Sequence, residues 1–239
     1  MIKATVLQSE YRKALNRLNS GFNKRVTVID GDKYINESID FVFENFATKF
    51  EVNSTVRNHL RQLEVKKESL ELTKKDGHIE AKLPKGYYMS TRQFGEGSCK
   101  NCDQQRLIDL FVIQTSDVTN ALKDPFWKPS FSWEEALIEE AGNNLIVYPG
   151  NIEFSKIYID YLKKPGHIAT PSKISEGERY ITASGEEITE DRDFEIDSTF
   201  FWRKVVRIAA LNTLLDLGDV QNYQAQLQNI MTLDKIYTN

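Results

Sequence analysis

Cysteine is nearly absent. Two residues of that type in 239 cannot build the disulfide framework on which small secreted domains depend, so the expectation is a reducing compartment. Histidine is just as sparse: His59, His78 and His167 are scattered and share no metal-ligand spacing. No apolar run approaches the ~20 residues that span a bilayer. The opening Met1-Ile2-Lys3-Ala4-Thr5, followed by Gln8, Ser9, Glu10 and Arg12, is too polar for the core of a signal peptide. The chain is therefore expected to act in the cytosol where it is made. Nor is there an excess of positive charge: 31 Lys and Arg against 35 Asp and Glu leave a net −4, which argues against general binding to a phosphate backbone. Phosphate loops, G-x-G-x-x-G, H-E-x-x-H and nucleophile elbows are all missing. Gly86-Tyr87-Tyr88 and Gly95-Glu96-Gly97 are too short to be nucleotide loops.

What is present describes a globular protein. Hydrophobic residues make up 40% and charged residues 28%, enough to bury a core and exclude disorder over most of the length. The N-terminal part reads as helical. Val6, Leu7, Tyr11, Ala14, Leu15 and Leu18 recur at helical spacing up to Gly21. Val26-Thr27-Val28-Ile29 reads as a short strand or extended link ending at Asp30-Gly31. A stronger stripe follows in Ile35, Ile39, Val42, Phe43, Phe46 and Phe50, with Asn36 as its candidate cap. Ser54 is the expected N-cap of a third helix bearing Val56, Leu60 and Leu63.

The middle changes period. Leu70 and Leu72 alternate with polar residues, Lys75-Asp76-Gly77 turns the chain, and Ile79, Ala81 and Leu83 alternate again, which is a strong hairpin signal. Leu110 to Ile113 reads as a buried strand. Leu145 to Tyr148, the turn Pro149-Gly150-Asn151, and Ile157, Ile159 and Tyr161 read as a second hairpin. Tyr180-Ile181-Thr182, Ser184-Gly185 and Ile188 suggest a third. Pro165, Gly166, Pro171 and Gly177 predict an exposed loop over 165–178. The end returns to helix: Ser198 caps a segment through Leu217 carrying Phe201, Val205, Ile208 and Leu215, Gly218 breaks it, and Asp219 caps a last helix with Tyr223, Leu227, Ile230 and Met231. The expected organisation is a helical part over 1–66, a β-rich part over 67–193 and C-terminal helices over 194–239, together one domain with the β-rich part inserted. The fold class is α+β, with terminal helices packed as a bundle and a middle rich in β-hairpins.

Five groups of residues could carry function. Cys99-Lys100-Asn101-Cys102 has the spacing of half a zinc site, but no second cysteine pair completes it. A redox role would need a strand-to-helix turn, whereas the flanking Gly95, Gly97 and Asp103 suggest a loop. Cys99 and Cys102 thus remain weak metal candidates, with structural thiols or an incidental disulfide as the bland alternative. Glu134, Glu135, Glu139 and Glu140 around Leu137 and Ile138 read as the solvated side of a short helix. Glu186, Glu187, Glu190, Asp191 and Asp193 form a second acidic run, and a catalytic pair would require a cleft. Arg203, Lys204 and Arg207 cluster on one side of the penultimate helix, either as a solvated face or as a contact for DNA or an acidic partner. Gln221, Asn222, Gln224, Gln226, Gln228 and Asn229 give the last helix an amide-rich side, able to bond another chain without burying charge. With Tyr223 and Leu227, Gln221, Gln224 and Gln228 complete the interface candidates.

Asp117-Val118, the run Leu122-Lys123-Asp124-Pro125-Phe126-Trp127-Lys128-Pro129-Ser130, Asn144 to Tyr148, and Ile159 to Pro165 resemble virion structural proteins of crAss-like tailed phages. So does the closing stretch from Phe201-Trp202-Arg203-Lys204 through Gln221-Asn222-Tyr223 to Ile236-Tyr237-Thr238-Asn239. The proteins resembled are head-to-tail adaptors, also called ring or connector proteins, and the resemblance covers the last ~140 residues better than the N-terminal helices. It implies a homo-oligomeric ring, usually a dodecamer, made in the bacterial host cytoplasm and placed at the portal–tail junction of the virion. The partners it implies are the portal protein, other tail ring proteins, and genomic DNA passing through the channel without sequence specificity during ejection. It implies no membrane, no catalytic residue and no cofactor. It further implies a C-terminal extension that reaches a neighbour or the portal, so that 220–239 is expected to dock on another chain. The alternatives are another tail-ring or head-completion protein of the same virion, or a small metal-binding or redox protein built on the cysteine pair.

Overall fold

The structure is a computed structural model describing residues 1–19, 21, 25–99, 104–175, 177–182, 185–224, 227 and 228. The chain is α+β and divides into two compact units: a helical one, residues 1–63 with 165–239, and a β unit, residues 64–164. The β-rich part therefore ends at 164 rather than 193, and 165–193 goes with the helices. The helices are α1 (Ala4–Leu18), α2 (Val28–Ala47), α3 (Ser54–Leu60), α4 (Val118–Lys123) and α5 (Thr199–Asp216), with 3-10 turns at Arg61–Leu63 and Pro171–Lys173. The strands are β1 (Glu64–Ser69), β2 (Leu72–Lys75), β3 (His78–Lys82), β4 (Tyr87–Cys99), β5 (Arg106–Val112), β6 (Glu135–Ala141), β7 (Asn144–Tyr148) and β8 (Ile152–Lys163).

In the helical unit, α1 buries Leu7, Tyr11 and Leu15, each four residues from the last. Val6 lies about 100° round the helix from Leu7 and is exposed, contrary to its place in the expected stripe. Helix α2 starts seven residues before Ile35, because the Thr27 hydroxyl accepts a hydrogen bond from Asp30 N–H and caps the first turn. The run Val26–Ile29 is therefore a helix start, not a strand. Asn36 sits inside α2, where its amide pairs with both backbone groups of Ile168. Asn53 rather than Ser54 caps α3, accepting from Thr55 and Val56 N–H. Ser198 caps α5 as expected, Gly218 ends it at φ 82°, and Leu215 is exposed. Phe46 of α2 meets Phe201 of α5 edge to face at 5.4 Å between centroids, a favoured aromatic geometry.

The stretch expected to be an exposed loop is exposed at Gly166, His167, Ser172, Lys173, Ser175 and Gly177, but its middle is pinned. Ile168, Ala169 and Thr170 are buried because they complete a polar centre on α2. Asp32 is fully buried. One carboxylate oxygen accepts from Thr170 N–H at 2.7 Å, Thr170 Oγ1 at 2.7 Å and Tyr180 OH at 3.1 Å. The other accepts from Gln8 Nε2 at 3.1 Å. Burial pushes this carboxyl above the usual carboxylate range, while the donors pull it back down. The predicted hairpin over 180–188 forms as a short one: Ile181 bridges Glu187 antiparallel, Ile188 N–H donates to the Tyr180 carbonyl and Thr182 N–H to the Glu186 carbonyl, while Ser184 lies outside the described residues.

The β unit is one sheet in the order β1-β8-β4-β5-β6-β7-β3-β2. Its two edge strands, β1 and β2, follow one another in the chain through Leu70 and Glu71 alone. Laid flat, eight strands would separate the edges by roughly 34 Å, whereas three peptide steps reach about 11 Å. The sheet must curl, and its inner face becomes a closed apolar interior of Ile79, Ala81, Ile108, Leu110, Ile138, Val147, Ile157 and Ile159, among others.

The Asp76-Gly77 turn joins β2 to β3 as read from the sequence. Three other readings change. The Leu110–Ile113 run is buried on one face only: Ile108 and Leu110 point in, while Leu107 and Phe111 are exposed. The glutamate-rich segment is strand β6, not a helix; it pairs parallel to β5 and antiparallel to β7. Strands β7 and β8 do not pair with each other, since β7 lies between β6 and β3 and β8 between β1 and β4. The tight turn of β7 runs back to β6 through Gly142, at φ 61°.

Candidate interaction surfaces

The cysteine candidate is settled by its placement. Gly95 and Gly97 belong to strand β4, which ends at Cys99; the segment before the cysteine is not a loop. A Cβ on Gly95 would lie 2.7 Å from the Phe154 ring, and one on Gly97 2.6 Å from Ile152, so both glycines serve β8 packing. Cys99 is disulfide-bonded, and a disulfide sulfur is no thiolate ligand for zinc. Cys102 lies outside the described residues.

The other chemistry-bearing side chains are dispersed. Among the described residues no group of three or more His, Cys, Asp and Glu is placed to hold a metal ion. His59 Nδ1 lies 2.7 Å from Ser198 Oγ, His78 pairs with Glu80, and His167 with Asp40. Burial lowers the pKa of His59. The carboxylates are likewise bound locally. Glu139 accepts from Thr115 Oγ1 and Tyr148 OH, Glu140 from Tyr87 OH and Ser90 Oγ, Glu186 from Arg192, and Asp191 from Ser172. Burial beside Glu140 pushes the Tyr87 phenol up to about 12. A pocket of about 270 Å³ lies against the β2–β3 turn. Of its polar lining, Lys75 and His78 are already held by Glu80.

The interface candidates of the last helices lie at the surface. On α5, Arg203 and Arg207 are exposed and Lys204 is half-buried. Arg203 lies over the Trp202 ring and Lys204 Nζ over Phe46, 5.3 Å from its centroid. Part of this cationic group therefore packs on its own aromatics rather than standing clear in solvent. Beyond Gly218, Asp219 caps a helical turn by accepting from Asn222 N–H. Gln221, Gln224 and Gln228 are exposed, Tyr223 and Leu227 half-buried. Gln226, Asn229, Ile230, Met231 and the remainder to Asn239 lie outside the described residues.

One surface that was not among the interface candidates is the β5–β6 connection, which contains the run Leu122–Ser130 that carries part of the resemblance. Two parallel neighbours require a crossover, and this one spans 113–134 with α4 inside it. After α4 the chain folds back on Asp124, whose side chain accepts from Phe126 N–H and whose carbonyl accepts from Trp127 and Lys128 N–H. The connection is held at its base. Phe131 N–H donates to Asn151 Oδ1 at 2.9 Å, and a Cβ on Gly150 would sit 2.5 Å from the Pro129 carbonyl oxygen. The result presents Phe126 at 80%, Trp127 at 64% and Trp133 at 63% exposure. At 150–250 Å² per aromatic side chain, the adjacent pair Phe126 and Trp127 leaves about 300 Å² of apolar surface in water, the lower end of the scale that marks an interaction site. Pro125 and Pro129 around the aromatic pair are the signal that could have shown a tight, outward turn.

The sheet edges, by contrast, are blunted. Strand β1 is bulged between Val65 and Glu68 around Lys67, at φ 54°, and β2 ends in exposed Lys74 and Lys75. Such edges resist strand addition. No described helix is long and apolar enough to cross a membrane. A scan against protein-family models finds no match, and neither does a search of curated protein sequences.

Proposed function

We propose that this chain is a non-catalytic structural subunit of a tailed-phage virion, a head-to-tail adaptor whose terminal helices pack as a bundle. It assembles as a ring, twelve-fold in the usual case, at the portal–tail junction, and genomic DNA passes through the ring during ejection. The observation that carries this reading is the coincidence of two things on one segment. The run Leu122–Ser130 bears the resemblance to crAss-like phage adaptors, and it is also where the β unit exposes Phe126 and Trp127. Exposed aromatics on a braced turn are what a protein–protein contact uses. The net charge of −4 suits a channel that must not hold DNA. Arg203, Arg207 and the amide-rich turn from Gln221 to Gln228 supply further contacts to the portal or a neighbour.

The test is electron microscopy and native mass measurement of the purified full-length chain, alone and mixed with the portal protein of the same virion. Rings, alone or on the portal, are the expected result. A monomer in both samples, with no portal binding, contradicts the proposal.

A further inference from the structure

We infer that the end of the curled sheet at the β2–β3 turn is a binding site for a small organic anion, a carboxylate carried on a single aromatic ring or a short alkyl chain. The site lies wholly within the β unit and does not depend on the ring reading. The cavity of about 270 Å³ is bounded on one side by the β2–β3 hairpin and on the other by the turn from β7 into β8. Its apolar wall is Ile79, Ile152 and Phe154, three buried side chains of the sheet's interior. An apolar cavity of about 150 Å³ already admits benzene, so this one has room for a ring and the acid it carries.

The titratable residues along the cavity are Lys74, Lys75, His78 and Glu153, and the strand register separates them. Side chains alternate between the two faces of a strand. Lys74 pairs with Ile79, whose side chain belongs to the interior, and Leu72, two positions back on the same face, packs against that interior too. Lys74 is therefore on the inner face, and its exposure places its ammonium at the mouth. Lys75 and His78, paired with each other across the hairpin, are on the outer face, where Glu80 holds both. Glu153 stands between Ile152 and Phe154 in β8, so it too points outward. Among the described residues no carboxylate is paired with Lys74. The cavity thus joins an apolar wall to one inward-facing cation, the complement of an amphipathic anion. An inward lysine on an edge strand also deters strand addition, but that role needs only the charge and no cavity beneath it.

Equilibrium dialysis of the full-length chain against radiolabelled benzoate, 3-phenylpropanoate and hexanoate tests this, in whatever oligomeric state the chain adopts. At least one of these acids should bind saturably with a Kd below about 1 mM, and its neutral amide should bind about tenfold more weakly. Lys74→Gln should weaken the acid about tenfold and bring it level with the amide. Lys74→Arg, which keeps the charge, should retain binding, and Lys75→Gln, on the outer face, should leave it unchanged. Circular dichroism and melting temperature confirm that each variant folds, and the comparison of acid with amide needs no variant at all. Absence of saturable binding by all of the acids, equal binding of acid and amide, or an equal loss in Lys74→Gln and Lys75→Gln would overturn the site.

Discussion

Both units bury an apolar core, but they differ in how their chain segments are held together. The β unit is a continuous stretch whose strands all lie within 64–164, and its interior is an apolar filling of aliphatic side chains with Phe131, Phe154 and Tyr161. The helical unit is discontinuous; its two pieces share an apolar core that includes Leu7, Ile35, Phe43, Phe46 and Phe201, and they are also joined by buried or half-buried polar bonds over long sequence separations. Tyr11 OH meets Thr213 Oγ1 at 2.7 Å, Asn19 binds Asp219, and Asp32 collects Thr170 and Tyr180. Apolar burial is non-directional and tolerant, whereas a buried polar group is costly unless every partner is in place. The helical unit thus adds a few exact pairings to its apolar core, and it cannot form before the C-terminal third of the chain is present. The β unit has no such dependence, and it carries the most exposed aromatic surface.

Substitutions can break this contrast. Phe46→Ala removes a ring packed against Phe201 and Phe200 and should cost about 3–5 kcal/mol by denaturant unfolding. Asp32→Ala should cost about 2–3 kcal/mol, because the Thr170 and Tyr180 donors lose their acceptor in the interior; a loss below about 0.5 kcal/mol would mean the polar centre does not specify the helical unit. In the β unit, Gly97→Ala drives a methyl into Ile152 and should cost about 1–3 kcal/mol by overpacking. Gly142→Ala, with nothing within reach of its Cβ, should cost less and only through its backbone, at φ 61°.

The smallest effects are in pH. His59 has a lowered pKa in the folded chain because burial disfavours its charged form. Its contribution is complete above the unfolded value of ~6.5 and is lost as pH falls below it. Asp32 has a raised pKa, so its ionisation weakens the fold, and that weakening is relieved as pH falls through the raised value towards ~3.9. Melting temperature followed from pH 7 downward should therefore lose its first decline in His59→Gln. In Asp32→Asn the change at lower pH should steepen, because the opposing relief is gone.

Local signals were legible where local chemistry decides. Asp76-Gly77 fixes its own hairpin, Ser198 its own helix start, and the spacing of Leu7, Tyr11 and Leu15 its own buried stripe. The readings that changed are those in which a distant partner decides. Glu135 and Glu139 sit four apart, which imitates a helix face, but β5 and β7 take the segment as a central strand. Pro149-Gly150-Asn151 is a true turn, yet the strands it joins pair elsewhere. Asn36 looked like a cap because the residue it binds, Ile168, lies 132 positions away. Asp32 gave no signal at all, since its donors come from 170 and 180. Phe126 and Trp127 stood out only as part of a run that resembles phage adaptors, and the turn on Asp124 is what exposes them.

The contrast rests on the claim that residues 64–164 are a folding unit of their own. Expressing that segment alone and following its thermal unfolding by circular dichroism, with hydrogen exchange on the same sample, tests this directly. The account predicts one cooperative transition, with the slowest-exchanging amides in β4 and β8 at the centre of the sheet order. A segment that melts without cooperativity, or whose β4 and β8 amides exchange as fast as a random coil, would contradict it.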